Sequence, residues 1–169
     1  MQLEKDTPFA VLDCDGVLTA YADGTSFMCK NPENYHPSPA LMKRLIDFLH
    51  ANGCGVVLAT NWRKYPEGHT LNFFGKDFPS PLGALRKVLG EYIVGELPFG
   101  YDIRKSEALH LWFEDVGLSP SASKYVIFED DLREGYQSSP LFCRRTVFTN
   151  PEFGLSDEDV AKANAILNS

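Results

Sequence analysis

Short apolar runs alternate along this chain with longer stretches in which apolar residues recur every three or four positions. The runs are Phe9-Ala10-Val11-Leu12, Gly55-Val56-Val57-Leu58-Ala59, Tyr92-Ile93-Val94, Tyr125-Val126-Ile127-Phe128 and Arg145-Thr146-Val147-Phe148. Each is bounded by turn residues and predicts a strand. The first helical stretch follows Ser38-Pro39, an N-cap pair, and carries Leu41, Met42, Leu45, Ile46, Phe48 and Leu49 before Asn52-Gly53 stops it. Residues 82–89 predict a second helix. Residues 104–116 predict a third, with Leu109, Trp112, Phe113 and Val116 as its inner stripe. Residues 156–167 predict a last helix, with Ser156 and Asp159 placed as a capping box.

Two stretches do not follow this rhythm. Residues 17–37 are polar and turn-rich. Asp23-Gly24 reads there as a hairpin tip and 25–29 as its return strand, giving a small flap over the end of the first strand. Residues 65–81 hold Leu71, Phe73, Phe74 and Phe78, but Pro66, Gly68, Gly75 and Pro79 break them up, and no element is assigned. Elsewhere strand and helix alternate, which predicts an α/β domain with a mainly parallel sheet covered on both faces. At 169 residues, without repeat or linker, a single domain over 1–169 is expected.

Composition narrows the picture a little. A net charge of −7 argues against broad electrostatic attraction to nucleic acid or anionic membrane. It leaves room for the short basic pairs Arg63-Lys64, Arg86-Lys87, Arg104-Lys105 and Arg144-Arg145. Cys14, Cys29, Cys54 and Cys143 show no Cys-x-x-Cys spacing and read as free thiols of a reducing compartment, so a cytoplasmic location is expected. The first residues lack the apolar core of a signal peptide, and no run approaches membrane-spanning length.

The chemistry gathers at strand ends. The first strand runs into Asp13-Cys14-Asp15-Gly16, the second into Thr60-Asn61-Trp62-Arg63, the fourth into Glu129-Asp130-Asp131. In open parallel sheets ligands bind at the carboxyl ends of strands. Alternation puts Asp13 and Asp15 on one side. A calcium loop would need its glycine at the sixth place, whereas Gly16 occupies the fourth. A solvated Asp-Gly turn is the bland alternative for this segment alone. Two like charges about 4 Å apart repel by roughly 4 kcal/mol at an effective dielectric of about 20, so Asp13, Asp15, Asp130 and Asp131 together call for a cation. Hard oxygen donors without a nearby histidine favour Mg²⁺. An aspartate can attack phosphorus, and a second acid can protonate the leaving oxygen and then activate water. Thr60 and Lys105, the latter at the start of a helix, are candidates to hold phosphoryl oxygens.

Asp13-x-Asp15-Gly16-Val17, Thr60, Lys105 and Asp130-Asp131, in this order, resemble the four motifs of the haloacid dehalogenase (HAD) superfamily. A receiver domain, the rival acidic fold, places its lysine last. Thr60-Asn61-Trp62-Arg63, Lys105-Ser106-Glu107-Ala108-Leu109 with Trp112, the segment 125–131 and Gly154-Leu155-Ser156 are similar to the small HAD domain of Swiss Army Knife RNA repair proteins. That resemblance implies a three-layer Rossmann-like fold with a short flap over about 17–37 and no separate cap domain. It implies a Mg²⁺-dependent phosphomonoesterase, with Asp13 as nucleophile and Asp15 as general acid/base. Asp13, Asp15 through its carbonyl, and Asp130, assisted by Asp131 or Glu129, would hold the metal. Gly16, Thr60, Asn61, Arg63 and Lys105 would bind the substrate. Trp62 reads either as a base-stacking platform or as core. Phosphorylated nucleic-acid ends are the substrate class the resemblance implies. A small phosphorylated metabolite, a phosphoprotein and a non-catalytic phosphate-binding domain stand as alternatives, the last disfavoured by the intact Asp13/Asp15 pair. Lys at 105 and Glu at 129 stand where the family more often has Arg and Asp.

Overall fold

The computed structural model describes residues 6–98 and 102–169. Its strands are β1 (Phe9–Leu12), β2 (Gly55–Leu58), β3 (Thr70–Phe73), β4 (Lys76–Pro79), β5 (Ile93–Glu96), β6 (Tyr125–Glu129) and β7 (Thr146–Phe148). Its helices are α1 (Pro39–Asn52), α2 (Leu82–Leu89), α3 (Lys105–Asp115), α4 (Pro140–Cys143) and α5 (Asp157–Leu167). Five strands form one sheet in the order β5-β2-β1-β6-β7, every neighbouring pair parallel.

The residues of β1 alternate between two cores, as a strand buried on both faces must. Ala10 and Leu12 pack with Leu45 and Leu49 of α1, Leu85 and Leu89 of α2 and Ala163 of α5. Phe9 and Val11 pack on the other face with Leu109, Trp112 and Phe113 of α3 and Phe142 of α4. The result is the expected three-layer α/β arrangement. From β1 the chain first builds outward through β2 to β5, then crosses to β6 and β7 on the other side. The strand order therefore reverses between β1 and β6, and the crevice at their carboxyl ends is where a ligand site is expected.

Helix boundaries follow the local signals. Ser156 and Asp159 form the capping box reciprocally. Gly53, at φ 59°, closes α1 in the left-handed conformation. Ser38 is the N-cap of α1 by backbone geometry, but its side chain does not bond the helix. Val116, expected on the inner stripe of α3, lies past its last turn and is exposed.

The flap region departs from expectation. Residues 25–29 do not form a return strand. Thr25 instead accepts from the Ala20 N–H, and Phe27–Cys29 and Pro32–Asn34 wind into 3-10 turns. The N–H groups of Tyr21 and Ala22 bond the carbonyls of Pro151 and Glu152, so this segment is tied to the loop after β7 rather than folded on itself. The antiparallel hairpin lies further along, in β3 and β4, within the stretch left unassigned. Its turn residues Phe74 and Gly75 both have positive φ, 54° and 71°, which a type I′ hairpin turn requires and which a Phe-Gly pair does not advertise.

Candidate active site

Asp13 leaves β1 still bound to the sheet, its N–H donating to the Phe128 carbonyl at 3.1 Å. It is 5% exposed. Lys105, at the first turn of α3, reaches across the strand ends and places Nζ 2.9 Å from Asp13 Oδ2 and 2.8 Å from Glu129 Oε2. Burial disfavours the ammonium, but the two carboxylates more than offset this and hold its pKa above the usual lysine range. Glu134 accepts the Lys105 backbone N–H at 3.0 Å and so anchors the start of the helix.

Glu129 ends β6 and is fully buried. Its Oε1 accepts the N–H groups of Asp130 and Asp131, each at 3.1 Å, while Oε2 takes Lys105. This fixes the turn that presents Asp130. Asp130 sits against Gly16 so closely that a Cβ there would lie 2.2 Å from Asp130 Oδ2, and Gly16 has φ +69°. Thr149, just beyond β7, donates to the Gly16 carbonyl at 2.8 Å and pins the loop from the far side.

Asp15 has a different environment. Trp62 Nε1–H donates to its Oδ2 at 2.8 Å, the Tyr35 hydroxyl lies 3.3 Å from both oxygens, and Thr19 Oγ1 lies 3.4 Å from Oδ1. Burial, and then the Asp13 charge, push its pKa from 3.8 up to about 7, against the pull of the Trp62 and Tyr35 bonds. Asp130 is also raised, by burial and by Asp13.

The other sequence-predicted residues divide. Thr60 is fully buried and N-caps the 3-10 turn Asn61–Lys64, its Oγ1 accepting the Trp62 N–H at 3.2 Å. Asn61 is exposed at the mouth of the site. Arg63 donates to the backbone carbonyls of Thr60, at 2.8 Å, and Leu97, bridging the ends of β2 and β5. Asp131 borders the site, but its carboxylate is held by Arg133, with contacts of 2.7 to 3.1 Å, which keeps its pKa low. Trp62 is 2% exposed, so it is not an open stacking platform; it holds the Asp15 carboxylate.

A cavity of about 550 Å³ at the carboxyl ends of β1 and β6 is bordered by Asp13, Asp15, Asn61, Lys105 and Asp130. Carboxylate oxygens of Asp13, Glu129 and Asp130 lie within 4.8 Å of one another. Two carboxylates in that trio share a single ammonium, and among the described residues Asp130 forms no ion pair of its own. An all-oxygen donor set with surplus negative charge fits a hard divalent cation such as Mg²⁺. Both Glu129 oxygens are already engaged, which leaves Asp13 and Asp130 with oxygens to offer.

No side-chain signal in the sequence marked Tyr35, Thr19 or Thr149 for this site. Glu129 was read as an assistant metal ligand, not as the partner of Lys105. No curated protein and no solved structure matches the chain. The family model described as "HAD domain in Swiss Army Knife RNA repair proteins" matches residues 10–160, which takes in β1 from its second residue, β2, α3 and β6 and every residue of the site just described. The chain belongs to that family of HAD domains.

Proposed function

We propose that this chain is a Mg²⁺-dependent phosphomonoesterase that works through an aspartyl-phosphate and acts on phosphorylated nucleic-acid ends. The observation that carries the reading is the divergence of Asp13 and Asp15. One carboxylate is paired with Lys105; the other is raised to about 7 and held by neutral donors. Two neighbouring titratable groups driven into different environments are the mark of a nucleophile and an acid/base partner.

The chemistry assigns each residue one task. An Asp13 oxygen attacks phosphorus and forms the acyl-phosphate bond. The bond to the leaving oxygen breaks, and that oxygen takes the proton from Asp15. Asp15, now a carboxylate, takes a proton from water as the water attacks phosphorus, the Asp13–phosphorus bond breaks, and phosphate leaves. Lys105 offsets charge on Asp13 and on the phosphoryl oxygens. Asn61, which borders the cavity, bonds the phosphoryl group or its ester in this reading. A cation held by Asp13 and Asp130 would supply Lewis-acid stabilisation of phosphoryl oxygens. The nucleic-acid substrate is supported by the family's description, an analogy of fold.

The test is phosphate release, with and without Mg²⁺, from an aryl phosphate, a mononucleotide and oligonucleotides phosphorylated at either end, with Asp13→Asn as blank. The expected result is Mg²⁺-dependent release that favours one oligonucleotide end and disappears in the blank. Release from small esters alone would remove the nucleic-acid substrate; release from none would remove the phosphatase.

A further inference from the structure

Asp15 borders two spaces. One is the main cavity; the other is a slot of about 130 Å³ that shares Asp15, Phe27 and Asn61 with it. The rest of the slot is formed chiefly by Tyr35, Trp62, Tyr65, Leu71 and Phe73. These residues come from separate segments: the 3-10 turn Phe27–Cys29, Tyr35 at the end of the 3-10 turn Pro32–Asn34, the turn after β2, and strand β3. Their rings hold one another. Phe27 and Phe73 are 5.9 Å apart, Tyr65 and Phe73 6.4 Å, Tyr35 and Trp62 5.8 Å. Phe27, Tyr65 and Phe73 are only partly buried, so they present ring surface to the slot. The polar tips of Tyr35 and Trp62 are turned onto Asp15.

We propose that this slot receives a flat aromatic ring carried by the leaving alcohol, a nucleobase of a nucleoside phosphate, and that Phe27 and Phe73 determine this specificity. The inference rests on the assignment of Asp15 as the proton donor. A group that protonates the leaving oxygen must touch it, so the atoms beyond that oxygen extend from Asp15, and the apolar continuation from Asp15 is the slot. Aromatic walls favour a planar ring over an aliphatic chain through stacking. A positioned acid matters most for a basic alkoxide and little for a phenolate. The ring therefore belongs on an alkyl alcohol, as the base does on a sugar, rather than directly on the ester oxygen.

The test compares thymidine 3′- and 5′-phosphate with the abasic sugar phosphates that lack only the base, whose leaving oxygens are of similar basicity. The ratio of kcat/KM between base-bearing and abasic ester, taken on one sample, cancels any loss of folded protein. In the native chain the ratio is expected to be about ten or more. It is expected to fall at least about fivefold in Phe73→Ala and in Phe27→Ala. A native ratio near one, or a ratio unmoved in both variants, overturns the slot. An aryl phosphate preferred over the nucleotides, and losing the same factor in the variants, overturns the nucleobase assignment in favour of a phenolic ester. A second readout needs no turnover. The chain has two tryptophans, so its indole N–H signals reduce to two, and Trp62→Phe identifies the one at the slot. Thymidine phosphate added to Asp13→Asn protein should shift that signal, and the abasic ester should not. A selective shift without turnover sinks the phosphatase and keeps the slot; turnover without it sinks the slot alone.

Discussion

Among the donors that face Asp15, the Trp62 indole is the closest, 2.8 Å against 3.3 Å for Tyr35 and 3.4 Å for Thr19. Burial and the Asp15 charge both push the Tyr35 hydroxyl upward, so it stays a donor throughout the working range. A carboxylate fixed this way keeps one orientation, and the Trp62 bond favours its charged form. Replacing Trp62 by Phe keeps a ring in the core and deletes the N–H. The expected result has two parts. The rate kcat on an alkyl phosphate falls about tenfold, the scale of one hydrogen bond to a charged group. The alkaline limb of the pH–rate profile, expected near pH 7 from Asp15, moves to higher pH, because the lost bond had been pulling that pKa down. A slower enzyme with an unmoved limb would reduce Trp62 to packing. Asp13, Asp15 and Asp130 were readable from the sequence because carboxylates stood where strands end, and Lys105 because a cation opened a helix. The part played by Trp62 was not: an indole beside an apolar strand reads as core, and Tyr35 lies 20 positions away from the carboxylate it serves.

Elements carried unequal amounts of information. Strands buried on both faces announce themselves as continuous apolar runs, and β1, β2 and β6 were legible for that reason. The β3–β4 hairpin was hidden because its alternation is short and its turn uses Phe74 at positive φ, which only the assembled structure supports. That ring stacks over Phe27 at 6.4 Å with the Lys30 ammonium 4.9 Å from its centre, so tertiary contacts hold the turn that local preference does not specify. The loop after β1 depends on a single residue. Gly16 combines positive φ with direct contact on Asp130, so Gly16→Ala meets both backbone strain and a clash with the acid that faces the cation site. A cost of about 1–3 kcal/mol in folding stability is expected from denaturant titration. If Mg²⁺ binds and stabilises the native chain as proposed, displacement of Asp130 is expected to abolish that stabilisation. A Gly16→Ala protein with native stability and an unchanged Mg²⁺ response would mean that the loop yields without moving Asp130.

At the scale of the whole molecule, a chain of net charge −7 concentrates part of its excess at one crevice. Folding brings Asp13, Asp15, Glu129 and Asp130 to one crevice where a single ammonium pairs only Asp13 and Glu129, and burial with the Asp13 charge raises Asp15 and Asp130. The sign of the consequence is fixed. A carboxyl whose folded pKa exceeds its unfolded one binds a proton more tightly when folded, so stability falls as pH rises from about 4 to about 7. For a fully buried group, displacement from 3.8 to about 7 corresponds to about 4 kcal/mol; water reaching the partly exposed Asp15 brings this to about 2. In a domain of this size that is about 4–8 °C in melting temperature. By this effect the metal-free protein is therefore expected to melt at a lower temperature at pH 8 than at pH 5. Mg²⁺ should recover the difference at pH 8 and do far less at pH 5, where protons already occupy the acids. Asp130→Asn removes one of the charges in conflict. It should raise the metal-free melting temperature at pH 8 while erasing most of the Mg²⁺ response, so that one substitution stabilises the fold and disables the site. Scanning calorimetry of both proteins at the two pH values, with and without Mg²⁺, reads all of these differences together. An Asp130→Asn protein less stable than the native one at pH 8 without metal, or equally responsive to Mg²⁺, would mean that the crevice is not electrostatically frustrated and that its acids are matched within the fold.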